Sequence, residues 1–542
     1  MKLIYYTNIT LWLLCLSGTL LFGQETKPHK LHLLTAKNLY VSGESIDFKC
    51  VISPGNPQNN TVLFVDICGE GYKIASSIIK EENMQWNGQI SIPDSVQTGI
   101  YLLRAYMGSQ EGKPLLTSKL VPVINRFGEN TRNDAVQKNA SYQPITFLDQ
   151  PAETNTLISA FSNQKDCLAN EKITFWIEHS LSTNSGGIAL SIHKLNNDFS
   201  GKEMLTSEYN PPLFENDTIK IFETQTIRGI VYNETEHHPV ENATVFLSVA
   251  DSIPQIKYAF TDRNGIFKFN INDNLPGESV IIQTTEKIPG IKIKLYPTKL
   301  PPIENIPFYI PSQIINSPFA KLAVERAQLH KAYGEKQQKI TAIAREQYPF
   351  YGIAPYRIYP GKYVDLNDFK EIAWEILPIV KYRISADTVT LKIWNSESKL
   401  FYTTPFLMVD GIPVASPASL NVLNSKAIHW IDIQPQNRCY GNLAFDGLIN
   451  IQTYKGDFSN IELPDHAIKT KLENFQQTNI KKTEQPLFRD ILCWQPVLDI
   501  EQKMHKIDVT CSYETGKYIA VAQAYDAKGK LYKSVFVFEV KE

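Results

Sequence analysis

The sequence lacks the groups that most enzyme mechanisms need at fixed spacing. It contains no GxGxxG or GxxxxGK[ST] phosphate loop, no HExxH helix and no GxSxG nucleophile turn. Its 10 histidines are scattered, and only His237 and His238 are adjacent. Neighbouring side chains on a strand point to opposite faces, so that pair does not share an ion. No CxxC occurs, which excludes a thioredoxin-type centre and a knuckle-type zinc site. Neither sign of charge is in excess: 54 Lys and Arg stand against 56 Asp and Glu, a net charge of −2. That balance argues against nucleic acid as a partner. Beyond the amino terminus no run reaches the ~18 apolar residues of a membrane-spanning helix. Together these gaps favour a protein that is not an enzyme and uses no cofactor and no metal.

What is present is a long chain of short alternating runs. At 542 residues it exceeds one core, since domains run ~100–200 residues. Alternating Tyr, Phe, Thr and Val between Gly, Asn and Pro turns favours β modules. Residues 1–24 read as a secretory signal: Lys2 is the positive region, Ile9 to Phe22 the apolar one, and Gly23-Gln24 a cleavage end. The mature chain is therefore expected to be exported, in the periplasm or at the outer membrane. Of the seven cysteines, Cys15 lies in that signal without the small residues a lipidation site wants. Among the other cysteines, Cys50 with Cys68 and Cys493 with Cys511 fall in neighbouring predicted strands. Each pair is a candidate disulfide closing a loop worth about 3 kcal/mol. The alternative is small buried thiols.

Residues 25–125 alternate at β-sandwich spacing, with Gly43 and Gly99 placed to permit turns. Lys37 to Tyr40, Ser42-Gly43-Glu44, Pro93 and Thr98-Gly99-Ile100-Tyr101 resemble the macroglobulin-type domain of α2-macroglobulin-like proteins. No cysteine sits in the thioester context of a macroglobulin protease trap. Residues 126–151 are polar and read as a linker. Residues 152–225 hold three strands, too few to close a core, and residues 486–542 hold four. The expectation is one discontinuous macroglobulin-type sandwich made of both pieces. The rival is two partial sandwiches, each with an exposed sheet face. Residues 226–300 resemble a carboxypeptidase regulatory-like sandwich, through Arg228-Gly229, Pro239-Val240 with Ala243-Val245, and Thr261-Asp262 with Gly265 and Phe267-Phe269. Asp262-Arg263-Asn264-Gly265 reads as a hairpin turn rather than a calcium loop, because alternating oxygen ligands are missing. Residues 301–348 combine a Pro-rich connector with one long helix over 319–346, whose stripe is Leu322, Leu329, Tyr333, Ile340 and Ile343.

Residues 349–460 read as a small α/β unit, with Asn367 or Asp365 capping a helix and Ser416-Pro417 starting another. Val409-Asp410-Gly411-Ile412-Pro413, AIHWIDIQP, Tyr440-Gly441 and Gly447 to Thr453 resemble the plug domain of TonB-dependent receptors. After residues 461–485, expected as a linker, too little chain remains for a barrel of eight ~10-residue strands. The fold class expected is therefore multidomain and mainly β: tandem sandwiches, macroglobulin-type and regulatory-like, with one plug-like α/β domain and one long helix. The combination resembles barrel-less exported proteins of outer-membrane-bearing bacteria. It implies a scaffold or binding protein whose partner is another envelope protein. Two alternatives are an accessory subunit of an import complex docked on an outer-membrane barrel, and an exported hydrolase with an appended module. Asp410, Gly411, Arg438, Tyr440, Gly441, Phe445 and Asp446 are the candidate binding residues. They mix charge and aromatic character in the turn after Asp410 and a loop at Asn437 to Asp446. The competing reading is that Tyr440 and Phe445 pack the core.

Overall fold

The computed structural model describes residues 30–542 apart from 54–61, 82–84, 108–114, 150–156, 182–186, 196–201, 205–224, 272–278, 297–305, 334–347, 477–489 and a few shorter stretches. The expected signal at 1–24 lies outside the described residues. The chain is multidomain and mainly β. Among the described residues no helix is long and apolar enough to cross a membrane.

The first sandwich spans 30–124. One sheet is ordered Lys30–Thr35, Ser45–Ser53, Trp86–Ser91. The other is ordered Tyr40–Val41, Leu115–Ile124, Gly99–Met107, Val62–Gly69, Tyr72–Lys80. Alternation along Gly99–Met107 sorts its side chains. Tyr101, Leu103 and Ala105 enter the core with Phe48 and Trp86, while Ile100 and Leu102 pack on the outer side with Ile310. Gly43 makes its turn at φ +88°, where an added Cβ would strike Asp94. Gly99 instead begins a strand and has no positive φ.

The stretch 126–151, expected as a linker, is a docked element. It carries the helix Thr131–Gln137. The Asn133 amide donates to the Ile310 carbonyl at 2.9 Å, and the Ile310 N–H returns to Asn133 Oδ1 at 2.9 Å. Gln143–Pro144 then pairs with Phe308–Tyr309. The Pro-rich connector is thereby strapped over the first sandwich, burying Ile306, Ile310 and Ile314. A side-chain amide that satisfies a distant backbone leaves no trace in hydrophobic periodicity.

The helix is described over Pro318–Tyr333, and its buried face is not the expected leucine stripe. Leu322 and Leu329 are 48% and 45% exposed, whereas Ala320, Ala323, Arg326 and Ala327 are buried. Small residues let the helix approach the Tyr40–Val41 strand closely, where Val41 packs against Ala323 and Ala327. The rest of the expected helix, with Ile340 and Ile343, lies outside the described residues.

Residues 225–295 form a second two-sheet unit around Val245, Phe267, Phe269 and Ile282. In its hairpin turn the Asp262 carboxylate accepts from the N–H groups of Asn264 at 2.9 Å and Ile266 at 2.8 Å, and Gly265 has φ +70°. The segment 461–485, expected as a linker, supplies strands to two earlier modules. Ile468–Lys471 pairs with Ser279–Thr284, and Phe475–Gln476 pairs with Tyr72–Lys80. These strands are too short to show as periodic runs, and a short Lys-bearing edge strand such as Ile468–Lys471 is a usual way to end a sheet.

The α/β unit has a five-stranded sheet ordered Tyr356–Ile358, Ile428–Tyr440, Leu443–Thr453, Phe406–Val409, Ile412–Pro413, with a separate three-stranded meander over 380–402. Phe406–Val409 runs parallel to Leu443–Thr453. Asp368, rather than Asn367 or Asp365, caps the helix Phe369–Glu375 by accepting from Glu371 N at 2.8 Å. The Ser416-capped segment is a 3-10 turn, Pro417–Val422, and Ile428 belongs to the following strand.

The last sandwich combines strands from residues 158–194 and 491–541. Lys172–His179 pairs with Met504–Thr510, Ile188–Lys194 pairs with both Ile491–Leu498 and Gly516–Tyr525, and Asp166–Leu168 runs beside Leu531–Lys541. A disulfide joins Cys167 to Cys511, 344 residues apart in sequence, across the two sheets. This replaces the pairs expected from sequence. Cys50 faces the core of the first sandwich while Cys68 faces outward beneath Ile310. Cys493 lies in the opposite sheet from the strand that leads to Cys511. Adjacency of strands in sequence is not adjacency of side chains in a sandwich, so neither expected pair forms; Cys50, Cys68, Cys439 and Cys493 are in no disulfide among the described residues.

Candidate functional site

Asp410, Gly411 and Phe445, three of the residues singled out in the α/β unit, are buried within it. Asp410 and Gly411 have φ +49° and +79° and form a tight turn between Phe406–Val409 and Ile412–Pro413. Asp410 is fully buried. Its carboxylate accepts from Gln452 Nε2 at 2.9 Å, Thr453 N and Oγ1 at 2.7 Å each, and Phe458 N at 3.0 Å. Those donors pin the strand end and occupy the oxygens a ligand would need. Asn437 to Asp446, expected as a loop, is a β-hairpin with Asn437 opposite Asp446, Arg438 opposite Phe445 and Tyr440 opposite Leu443. The ladder is irregular between Gln434 and Asn437, where Pro435 cannot donate. Phe445 is buried against Phe406 at 4.5 Å between ring centres. Tyr440 packs on Tyr258 and Phe350. Arg438 and Asp446 are exposed.

The hairpin tip is exposed but contacts the preceding unit. Tyr258 Oη receives the Asn442 N–H at 2.7 Å, and a Cβ on Gly441 would stand 2.3 Å from that oxygen. Gly441→Ala is expected to lower stability by about 1–2 kcal/mol, from its φ of +59° and this contact. A thermal melt reads it. Tyr258→Phe in the same background should recover part of the loss, and no recovery would assign the whole effect to the backbone.

A concave site opens elsewhere, between the first and last sandwiches. It is a cavity of about 490 Å³, within the usual range for small-molecule sites. Lys30–Thr35 and the turn after it form one wall; Ile188–Lys194, Gly516–Tyr525 and the start of Leu531–Lys541 form the other. His32, Lys37, Lys119, His193 and Lys533 are the ionisable side chains that line it among the described residues, leaving aside Tyr525. The His32 ring stacks on Tyr525 at 4.0 Å and bonds Ser53 Oγ at 2.7 Å. Lys119 Nζ donates to Thr35 Oγ1 at 2.7 Å and Asn38 Oδ1 at 3.2 Å. Ser191 crosses the junction by donating to the Ala36 carbonyl, and Leu34, Val51, Ala189 and Tyr525 close its apolar floor beside Trp494.

The same junction holds a buried ionic hub. Lys37 Nζ binds Glu44 at 2.8 Å and Asp490 at 2.5 Å. Arg326, from the helix, reaches Asp490 at 3.4 Å and grips Glu514 through Nε at 2.9 Å and Nη2 at 3.0 Å. Lys194 binds Glu514 at 3.2 Å. Burial alone would push the Asp490 carboxyl up. The charges of Lys37 and Arg326 outweigh it and hold the group well below the usual carboxylate range. Burial would lower Lys37, but Asp490 and Glu44 raise it above the ordinary lysine value.

None of the cleft or hub residues was among the sequence candidates. They come from segments up to hundreds of residues apart, and the expected two-piece sandwich joined only residues 152–225 with 486–542, not the first sandwich or the helix that carries Arg326. Among the described residues no group of three or more His, Cys, Asp or Glu is placed to hold a metal ion.

No family profile matches the sequence. No characterised protein matches it by sequence. Among solved structures, trypsin-activated α-2-macroglobulin from Escherichia coli aligns at 9% identity over 94% of this chain and 41% of its own, with a TM-score of 0.22. Salmonella α-2-macroglobulin reacted with methylamine aligns at 9% identity over 94% and 39%, TM-score 0.23. A tetra-tandem repeat from the extending region of a large adhesion protein aligns at 9% identity over 95% and 99%, TM-score 0.15. The chain thus spans about two fifths of the macroglobulins it matches, 41% and 39% of their lengths. Scores this low carry no argument about activity.

Proposed function

We propose that the chain is a non-catalytic exported scaffold or binding protein of the periplasm or outer membrane, and that its ligand enters the cleft between the first and last sandwiches. The observation that carries this reading is the construction of that cleft. Its walls come from two modules, and the buried Lys37–Asp490–Arg326–Glu514 hub fixes the modules against each other. A preformed concavity on rigid sheets binds without an ordering penalty. The resemblances read from sequence, macroglobulin-type, regulatory-like and plug-like, fit an envelope protein assembled from interaction modules. Docking on a barrel through the 437–446 hairpin has less support, because Tyr258 already engages the hairpin tip.

Fractionation of native cells with intact-mass analysis tests the proposal. The expected result is a mature chain lacking residues 1–24 in the envelope fraction. A chain that keeps those residues and stays in the cytosol would overturn it. Copurification of stoichiometric barrel protein would favour the import-subunit alternative.

A further inference from the structure

We infer that the joint between the first and last sandwiches is a proton-operated switch, which Lys49 lets close as a neutral amine and drives open as an ammonium. The switch concerns the joint itself and stands whether or not a ligand enters the cleft.

The geometry is that of a buried amine with no anion beside it. Lys49 is fully buried on Ser45–Ser53, opposite Leu34 on one side and Asn87 on the other. Alternation puts it on the same face as Leu34 and Val51, which pack against Ala189 and Tyr525 of the last sandwich. Gly187, at the start of the last sandwich's Ile188–Lys194, closes over it. A Cβ on Gly187 would stand 3.1 Å from Lys49 Nζ and 2.9 Å from Gln85 Nε2. Lys49 Nζ, Gln85 Oε1 and Asn87 Oδ1 are all buried without a hydrogen-bond partner among the described residues. A buried polar atom left so is costly, and a charged one far more.

These atoms give the joint two arrangements. A neutral Lys49 fits beneath Gly187. An ammonium has three protons to donate, and Gln85 Oε1 and Asn87 Oδ1, on its own sandwich, can accept them. Reaching those oxygens, or water, shifts Lys49 and Gln85 away from Gly187 and loosens the contact between modules. The titratable groups on the elements around it are Asp47 on its own strand, His32 on Lys30–Thr35, His193 on Ile188–Lys194, Tyr525, Lys533, and Asp499 after Ile491–Leu498. Trp86–Ser91 presents none, only Asn87, Gln89 and Ser91. Among the described residues none bonds Lys49 Nζ or shifts its proton affinity; burial alone pushes its pKa from 10.5 to about 7. Opening returns the amine to its ordinary value and so takes up a proton between those limits. Opening is therefore favoured as pH falls from about 10 to about 7, and levels off below. The nearby hub does not titrate in this range, because Asp490 is held low and Lys37 and Arg326 high. It tethers the modules while the Lys49 side of the joint opens.

Hydrogen exchange on the intact mature protein, read by mass spectrometry and corrected for the intrinsic exchange rate, tests this. Amides of Ser45–Ser53 and Ile188–Lys194 should be about tenfold better protected at pH 8 than at pH 6. Amides of Ile428–Tyr440 in the α/β unit should not change. In Lys49→Met the joint amides should be equally protected at both pH values. Circular dichroism identifies a variant that has lost its fold, and the native sequence alone remains decisive in that event. Equal protection of the native joint at pH 6 and pH 8, or a difference that persists in the folded variant, would overturn the inference. A change of the same size in Ile428–Tyr440 would also overturn it, since Lys49 would then act on the stability of the whole chain and not on the joint.

Discussion

Replacing Arg326 with methionine is expected to destabilise the protein by about 3–5 kcal/mol, the usual loss when one partner of a buried ion pair is removed. Arg326 is 4% exposed and its guanidinium is the only described group that touches both Asp490 and Glu514. Without it Glu514 keeps Lys194 and Asp490 keeps Lys37, but each carboxylate loses a charge that offsets its desolvation. Arg326→Lys should recover little, because a single ammonium cannot reproduce the two-pronged grip at 2.9 and 3.0 Å. Glu514→Gln added to Arg326→Met should recover part of the loss, since it removes a stranded charge. Urea denaturation of the single and double variants reads this. A loss below about 1 kcal/mol for the single variant would mean the hub does not hold the modules together.

Lys49→Met is expected to act in the opposite direction, raising stability by about 2–4 kcal/mol at pH 6. Lys49 is fully buried on Ser45–Ser53, and its Nζ has no hydrogen-bond partner among the described residues. It lies against Gln85 and Gly187, close enough that a Cβ on Gly187 would stand 3.1 Å from it. Burial pushes its pKa down from 10.5 to about 7. The folded pKa is below the unfolded one, so between these values the unfolded chain binds more protons than the folded chain. Stability of the native sequence should therefore rise with pH from about 7 to about 10, and the penalty is fully present below pH 7. Methionine fills the same volume without a charge, so the variant should lose that slope. Urea midpoints at pH 6 and pH 9 suffice. Parallel pH profiles for the two proteins would contradict the assignment.

Sequence carried some of this architecture. Sheet alternation at Tyr101, Leu103 and Ala105, the Gly43 turn and the Asp262–Gly265 turn are set by local rules, and each was legible. The buried face of Pro318–Tyr333 was not, because periodicity counts Leu322 and Leu329 as core and cannot see that close approach to Val41 requires alanine. The strands Ile468–Lys471 and Phe475–Gln476 were not, because a few residues on a sheet edge make no pattern. The candidate residues around Asp410 and Tyr440 had the composition of a binding loop, but their partners, Thr453 and Tyr258, are supplied by tertiary structure. The cleft is a purely tertiary object: His32, Lys119, Trp494 and Lys533 have no local relationship to one another.

The central claim is that residues 158–194 and 491–541 build one sandwich that closes against the first. The disulfide is the most direct reporter of it. Peptide mapping of the native protein, digested without reductant and with free thiols blocked, should yield one cross-linked species joining the peptides of Cys167 and Cys511, with Cys50, Cys68, Cys439 and Cys493 all alkylated. A cross-link between Cys493 and Cys511, or between Cys50 and Cys68, would contradict the architecture.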